Sequence, residues 1–320
     1  MTAPAARVLV IGETMGLFRS EAHLRTGTAA RFSVGGAETN TAIALRRQGI
    51  PVRWLTRLGD DTIGEAVLSA IRSEDIEVVA TVDGLRPTGL MVKEGRPGRL
   101  TRVSYYRSGS AASALSAEDV RGEHFDGVEL LHLTGITPAL SDSAADAVVT
   151  AARLARERGI WVSLDVNYRS ALWSREEART RLAALVPLAD VVFGDRHELE
   201  LLLGEPGTAS SDDDLLRQVA LAGPEEVVLK RGARGAAARA GGPVREQAAF
   251  PIVPVDTVGA GDAFVAGYVA GLLDGQPLDE RLRRACACGA LACLSEGDWE
   301  GSPTRAELGA FLNGGDPVLR

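Results

Sequence analysis

The sequence predicts an α/β fold: a mostly parallel central sheet flanked by helices, with a small β-sheet lid. Three observations lead there. Short runs of apolar, β-branched residues recur along the 320 residues, stretches of helical period separate them, and two segments keep neither pattern. Parallel strands are buried on both faces and read as continuous apolar runs, and each parallel neighbour is reached through a crossover, usually a helix.

Taken in order, strands are predicted at residues 7–11, 52–58, 130–133, 161–165, 190–193 and 226–230, each a short and mainly apolar run. Between them, residues 39–48, 63–73, 143–158, 176–185 and 212–222 repeat apolar side chains at helical spacing. Residues 14–34 and 87–107 lack that spacing and set strand-like residues around Gly and Pro, and Thr101 to Arg107 alternates like a half-exposed strand. These two segments are expected to form antiparallel strands outside the main sheet. They would make a discontinuous lid over its C-terminal edge, with residues 1–13, 35–86 and 108–320 as the core. The Gly/Ala-rich stretch 232–242 is expected to be a turn or hairpin. Several predicted strands end in polar or glycine residues: Gly12-Glu13, Thr134-Gly135, Asp165-Val-Asn167 and Arg231-Gly232. Ligands of open parallel sheets bind beyond those carboxyl ends.

Charge and composition exclude several functions. Lys and Arg number 35 against 43 Asp and Glu, a net charge of −8, whereas a nucleic-acid partner wants a concentrated basic face. Only two of the cations are lysines, Lys93 and Lys230, a skew that reads as coding bias. No run of 18 apolar residues is present, so no membrane helix is expected. The first apolar run, Val8 to Ile11, is too short for a signal peptide, and a cytoplasmic location is expected. Cys286, Cys288 and Cys293 share one helix-like stretch at spacings that fit no zinc template, and read as buried thiols. The P-loop, H-E-x-x-H and G-x-S-x-G patterns are absent, and no G-x-G-x-x-G follows the first strand.

The strongest positive signal is Asp256-Thr-Val-Gly-Ala-Gly-Asp-Ala-Phe264, followed by a small-residue run. A Gly-Ala-Gly turn entering a helix leaves backbone N–H groups facing outward, with the positive end of the helix dipole behind them. Glycine lets a phosphate approach that backbone. An aspartate there reads either as a helix cap or as a general base beside a transferring phosphoryl group. On the second reading Asp262 deprotonates an attacking hydroxyl while the amides of Gly259, Ala260 and Gly261 hold the developing charge.

This motif closely resembles the C-terminal motif of the ribokinase-like (PfkB) family of sugar kinases. A second match is Gly35-Gly-Ala-Glu-Thr-Asn40, with Leu58-Gly-Asp-Asp61 after it, similar to the family's N-terminal sugar-binding motif. Lys230-Arg-Gly-Ala-Arg-Gly235 resembles the nucleotide-side K-x-G-x-x-G turn. The three arrive in family order. The resemblance implies a ribokinase-like fold and ATP-dependent phosphorylation of a sugar hydroxyl. It implies Gly35, Gly36, Ala37, Glu38, Thr39 and Asn40 on the sugar, and Lys230, Gly232, Arg234, Gly235 and Asn167 on the nucleotide. The family usually holds Mg²⁺ indirectly near an N-x-x-E motif; the corresponding stretch here is Asp195-Arg-His-Glu198, which makes Asp195 and Glu198 the metal-side candidates. A monovalent cation, common in the family, would sit near Asp256 and Ser302.

The lid sequence from Arg102 to Ser113, with its Tyr105-Tyr106-Arg107, is similar to that of 2-keto-3-deoxygluconate kinases, as is Asp165-Val-Asn-Tyr-Arg169. Such a substrate bears a carboxylate, and a planar guanidinium matches a carboxylate with two parallel hydrogen bonds. Arg107 and Arg169 are therefore the candidate clamp. Alternation along the lid strand allows one of Tyr105 and Tyr106 to face the sugar. Met91 stands where the group carries an aromatic residue, and Asp298 resembles a late substrate-side acid. The resemblance thus implies phosphorylation of 2-keto-3-deoxygluconate at its terminal hydroxyl. A neutral sugar such as fructose or ribose, or a binding protein without turnover, are the alternatives. Unpaired lid edges favour pairing with a second copy, so a homodimer through the lid is expected.

Overall fold

The computed structural model describes residues 5–95, 102–204, 207 and 209–314. Thr101, residues 96–100 of the lid segment and residues 1–4 and 315–320 of the core segments lie outside them. In chain order the strands are β1 (Val8–Ile11), β2 (Met15–Ser20), β3 (Arg31–Gly35), β4 (Val52–Gly59), β5 (Glu77–Asp83), β6 (Leu90–Glu94), β7 (Arg102–Tyr106), β8 (Leu130–Thr134), β9 (Trp161–Asp165), β10 (Val191–Gly194), β11 (Glu226–Lys230), β12 (Ala236–Ala240) and β13 (Arg245–Gln247). The helices are α1 (Ala37–Arg47), α2 (Thr62–Ser73), α3 (Asp142–Glu157), α4 (Arg175–Leu182), α5 (Arg196–Leu203), α6 (Asp212–Ala220), α7 (Ala260–Leu273), α8 (Leu278–Ala292) and α9 (Arg305–Leu312).

Nine strands form the central sheet in the order β13-β12-β11-β10-β9-β8-β1-β4-β5. Its pairs from β11 across to β5 are parallel, and β12 and β13 add antiparallel strands at one edge. The period of two sorts each strand between two cores. Val8 and Val10 of β1 pack with α1, α7 and α8, while Leu9 and Ile11 pack with α3 and α4 on the opposite face. All six predicted core strands are present, and the 232–242 stretch is the return arm of the β11–β12 hairpin. Strands β5 and β13 and the short helices α5 and α9 add to the predicted set. No helix among the described residues is long and apolar enough to cross a membrane. The three cysteines are free and buried, as their helix-like setting implied.

A buried ion pair fixes β11 to the helical layer. Both carboxylate oxygens of Glu226 lie 2.8–2.9 Å from Arg281 Nη1, and Tyr268 Oη donates to Oε2 at 2.8 Å. The Arg281 guanidinium also lies over the Tyr268 ring, 5.1 Å from its centroid.

The second sheet has the order β3-β2-β6-β7. The outer pairs are antiparallel as expected, but the central β2–β6 pair is parallel. The correction has a simple cause. Strand β2 follows β1 and β6 follows β5, and these two core strands run the same way, so both lid strands rise from the same edge in one direction.

Candidate active site

Helix α7 begins where the parallel strands end. Its N-cap, Gly259, adopts a left-handed φ of 73°, and a Cβ there would lie 1.7 Å from the Asp298 carbonyl oxygen, so only glycine fits. The first-turn amides of α7 point out of the helix; that of Ala260 makes only a long 3.4 Å contact back to Thr257 O. Asp262 sits in this turn, 8% exposed, and its Oδ2 accepts from Asn40 Nδ2 at 2.8 Å. Burial pushes its carboxyl up to about 7, with the nearby Asp165 charge acting in the same direction, while the Asn40 bond, Arg169 and Lys230 oppose it.

Lys230, at the end of β11, donates to Asp165 Oδ1 at 2.6 Å and lies 4.0 Å from Glu198. Asp165 and Glu198 hold its ammonium protonated despite burial. Asn167 follows with a positive φ of 39° and reaches back to Asp165 at 3.4 Å. Asp195 and Glu198 form a capping box at the start of α5: each accepts the other's backbone N–H at 2.8 Å. The second Glu198 oxygen accepts from Tyr168 N at 2.9 Å. Three of the pair's four carboxylate oxygens thus accept from amides, which suits contact with a metal's waters better than a direct ligand shell.

A cleft of about 680 Å³ opens beside Asp262, between the sheet ends and the lid. Gly36, Ala37, Glu38, Asn40, Met91, Tyr105, Arg107, Asn167, Arg169, Asp195, Glu198, Lys230, Gly259, Gly261, Asp262 and Asp298 all line it. Gly36 is forced by close approach, since a Cβ would lie 2.2 Å from Glu13 O. Glu38 accepts from Thr134 and Thr137 hydroxyls, both at 2.6 Å, and leaves its other oxygen without a hydrogen bond. Arg107 is buried and paired with Glu13 at 2.5 Å, and Ser110 holds the other Glu13 oxygen at 2.6 Å. Arg169 is exposed at the mouth.

Four expected residues stand elsewhere. Tyr106 is 64% exposed and faces away, as alternation requires once Tyr105 turns inward. Thr39 is turned into the core, donating to Gly36 O at 3.1 Å. Gly35 lies behind Met91 and Asp298. Arg234 is exposed on the β11–β12 turn and lines neither pocket. The positions expected for a monovalent cation are held by guanidinium groups, Arg19 at 3.4 Å from Asp256 and Arg47 at 3.0 Å from Ser302 O. These residues do not fit such an ion as they stand.

A second pocket of about 440 Å³ shares Lys230, Thr257 and Gly261 with the cleft. Gly232, Gly235 and Ala260 line it, together with an apolar set that sequence reasoning missed: Phe250, Pro251, Ile252, Pro254, Cys286 and Cys293. The Pro-rich run 251–254 carries no motif, and the thiols read correctly as buried but gave no sign of which face they line. Glu13 and Lys93 were missed as well. Glu13 is the second residue beyond the end of β1, in a stretch already marked for ligands but with no role given to the carboxylate.

The arrangement is a polar cleft and an apolar slot that meet at a helix N-terminus carrying a buried carboxylate near neutrality. That suits proton abstraction from a hydroxyl beside an anion. Comparison with known proteins agrees. The model of the pfkB family carbohydrate kinases matches residues 5–305. A 2-dehydro-3-deoxygluconokinase of Bacillus subtilis is 34% identical over 95% of this chain and 95% of its own length. A 2-dehydro-3-deoxygalactonokinase of Haloferax volcanii is 33% identical over 97% and 98%. A crystal structure of a PfkB protein from Polaromonas sp. JS666 superposes with a TM-score of 0.85 at 34% identity, covering 96% of this chain and all of that one. Fold, motif order and matched length converge: this chain belongs to the pfkB family of carbohydrate kinases and is a phosphotransferase acting on a sugar hydroxyl.

Proposed function

We propose that the protein phosphorylates the terminal hydroxyl of 2-keto-3-deoxygluconate with ATP, giving the 6-phosphate and ADP. The observation that carries the reading is the junction of the two pockets at Lys230, Thr257 and Gly261, with Asp262 lining the cleft beside it. The apolar slot suits a purine base, and the polar cleft suits a hydroxylated acid. Asp262 accepts the proton of the attacking hydroxyl. The hydroxyl oxygen bonds the γ-phosphorus as the bond to the β–γ bridging oxygen breaks, and the amides of residues 259–261 bear the charge. Mg²⁺ would neutralise the nucleotide phosphates, with Glu198 and Asp195 contacting its waters. The second sheet acts as the lid that excludes water.

Arg169 is the carboxylate clamp in this reading, because it has no ion pair among the described residues whereas Arg107 is neutralised by Glu13. Both relatives quoted above bear names of kinases for 2-dehydro-3-deoxy sugar acids, which differ in the C4 epimer. The test is ADP release with ATP and Mg²⁺ on 2-keto-3-deoxygluconate, its C4 epimer, fructose, ribose and gluconate. Turnover confined to the keto acids is expected. For Arg169→Ala, KM for the acid should rise by roughly tenfold or more. Turnover of fructose or ribose alone would replace the substrate and leave the kinase reading intact.

The proposal extends to a homodimer through the lid, supported by Phe32 and Tyr106, exposed on the face of the lid sheet away from the cleft. Sedimentation at micromolar concentration should report twice the chain mass, and a monomer there would refute it. A cytoplasmic location goes with ATP as donor.

A further inference from the structure

Two lysines stand in a chain of 320 residues that otherwise uses arginine for positive charge, and both line the sugar cleft. Lys230 stands where the cleft meets the slot. Lys93 does not. It lies on β6, two residues after Met91, so both side chains leave the same face of the lid sheet and enter the cleft. Its residue is only 5% exposed, and its ammonium pairs with Asp298, itself 6% exposed.

Three N–H donors leave an ammonium, and Asp298 takes one. The other two have no protein acceptor among the described residues. Burying donors unpaired is costly, so oxygens in the cleft, from water or from a bound sugar that displaces it, must take them. Asp298 in turn reaches the reaction centre through its backbone: its carbonyl oxygen abuts Gly259, the residue that starts the anion-binding turn. One residue therefore touches the lid lysine with its side chain and the catalytic turn with its main chain.

We propose that Lys93 is a specificity-determining residue, donating its two free N–H groups to oxygens at the lid end of the sugar. Through Asp298 the same contact ties sugar occupancy to the geometry of the Gly259 turn. The inference rests on the kinase reading for which sugar is bound, but not for the role of Lys93. Arginine would keep the charge and the lid-to-core pair while replacing a compact ammonium by a planar fork. That separates a recognition role from a simple latch.

The experiment compares Lys93→Met and Lys93→Arg with the parent in steady-state kinetics, together with melting temperatures. For Lys93→Met, KM for the sugar should rise roughly ten- to hundredfold, the range for losing a hydrogen bond to a charged group. KM for ATP should stay within about twofold, because the slot is untouched. Lys93→Arg should melt with the parent yet still show a raised sugar KM. Should Lys93→Met fail to fold, Lys93→Arg decides alone. A sugar KM for Lys93→Arg equal to the parent's would make the pair a structural latch and overturn the proposal. If the parent uses fructose or ribose and Lys93→Met raises that sugar's KM, Lys93 stands and the keto-acid reading falls. If the keto acid is used and its KM is unmoved in both variants, Lys93 falls and the keto-acid reading stands.

Discussion

Asp262→Asn is expected to lower kcat by roughly a hundredfold to ten-thousandfold, the range for removing a positioned general base. Asparagine keeps the shape and can still bond Asn40, so sugar and ATP should bind nearly as before. The loss belongs in kcat. In the parent, the carboxyl ionises at about 7 because burial opposes its charge. Only the ionised form accepts a proton, so kcat/KM should climb roughly tenfold per pH unit on the acid side and level off above about pH 7. A profile already flat at pH 5 would remove Asp262 as the base.

The same raised value makes a stability prediction of opposite sense. The unfolded carboxyl ionises near its ordinary 3.8. Between there and about pH 7 the folded chain holds a proton that the unfolded chain has lost, so this group's contribution to stability falls as pH rises through that window and is level above it. Asp262→Asn removes the effect. The variant should gain stability relative to the parent from pH 4 to 7, reaching roughly 2–4 kcal/mol at pH 8. Melting temperatures across that range test it. An inactive variant that is more heat-resistant only at neutral pH would be a base whose activity costs the fold something.

Arg281→Met is expected to destabilise the fold by roughly 3–5 kcal/mol, the range for stranding one partner of a buried ion pair. Glu226 would keep Tyr268 as its only donor among these groups, and the methionine would lose the guanidinium stack on the Tyr268 ring. The melting temperature should drop by roughly 5–15 °C. Below the transition, KM values should be unchanged, because the triad lies at the start of β11 and Lys230 at its end. Replacing both partners, Glu226→Leu with Arg281→Met, should recover more than half of the loss, since it strands no charge. A double variant as weak as the single would assign the loss to packing and not to charge.

What was legible in the sequence follows from what each signal depends on. The six core strands announce themselves because burial on both faces makes them apolar throughout, as in β1 and β10. Strand β5 escaped because it is an edge strand with exposed and half-buried residues, so neither an apolar run nor a clean alternation marks it. The direction of β2 against β6 depends on where two distant segments leave the core, which no local pattern encodes. Asp262 was legible because it follows a glycine-rich turn whose chemistry is local, whereas Asn40, in the first turn of α1, and Lys230, at the end of β11, were named by the resemblance of their motifs. Arg107 was found as a cation, but its neutralisation by Glu13 is a contact across 94 residues and could not be read. Lys93 had a signal, the scarcity of lysine, which composition alone attributes to coding.

The parallel pairing of β2 with β6 has a consequence for how the molecule assembles. Gly16 registers with Leu90, so the central lid ladder closes only after a loop of some seventy residues, containing β3, α1, β4, α2 and β5, has been drawn together. Loop closure of that length must precede any stabilisation from the ladder. The small sheet is therefore a late product of folding that templates on an already formed core. Its buried apolar cluster is slight, Met15, Leu17 and Met91 with Val103 against it, so it also belongs to the first tier to come apart. Amides of β2 and β6 should exchange with solvent through a partial opening that leaves β8 to β11 protected, and the catalytic cleft loses its roof long before the chain loses its fold.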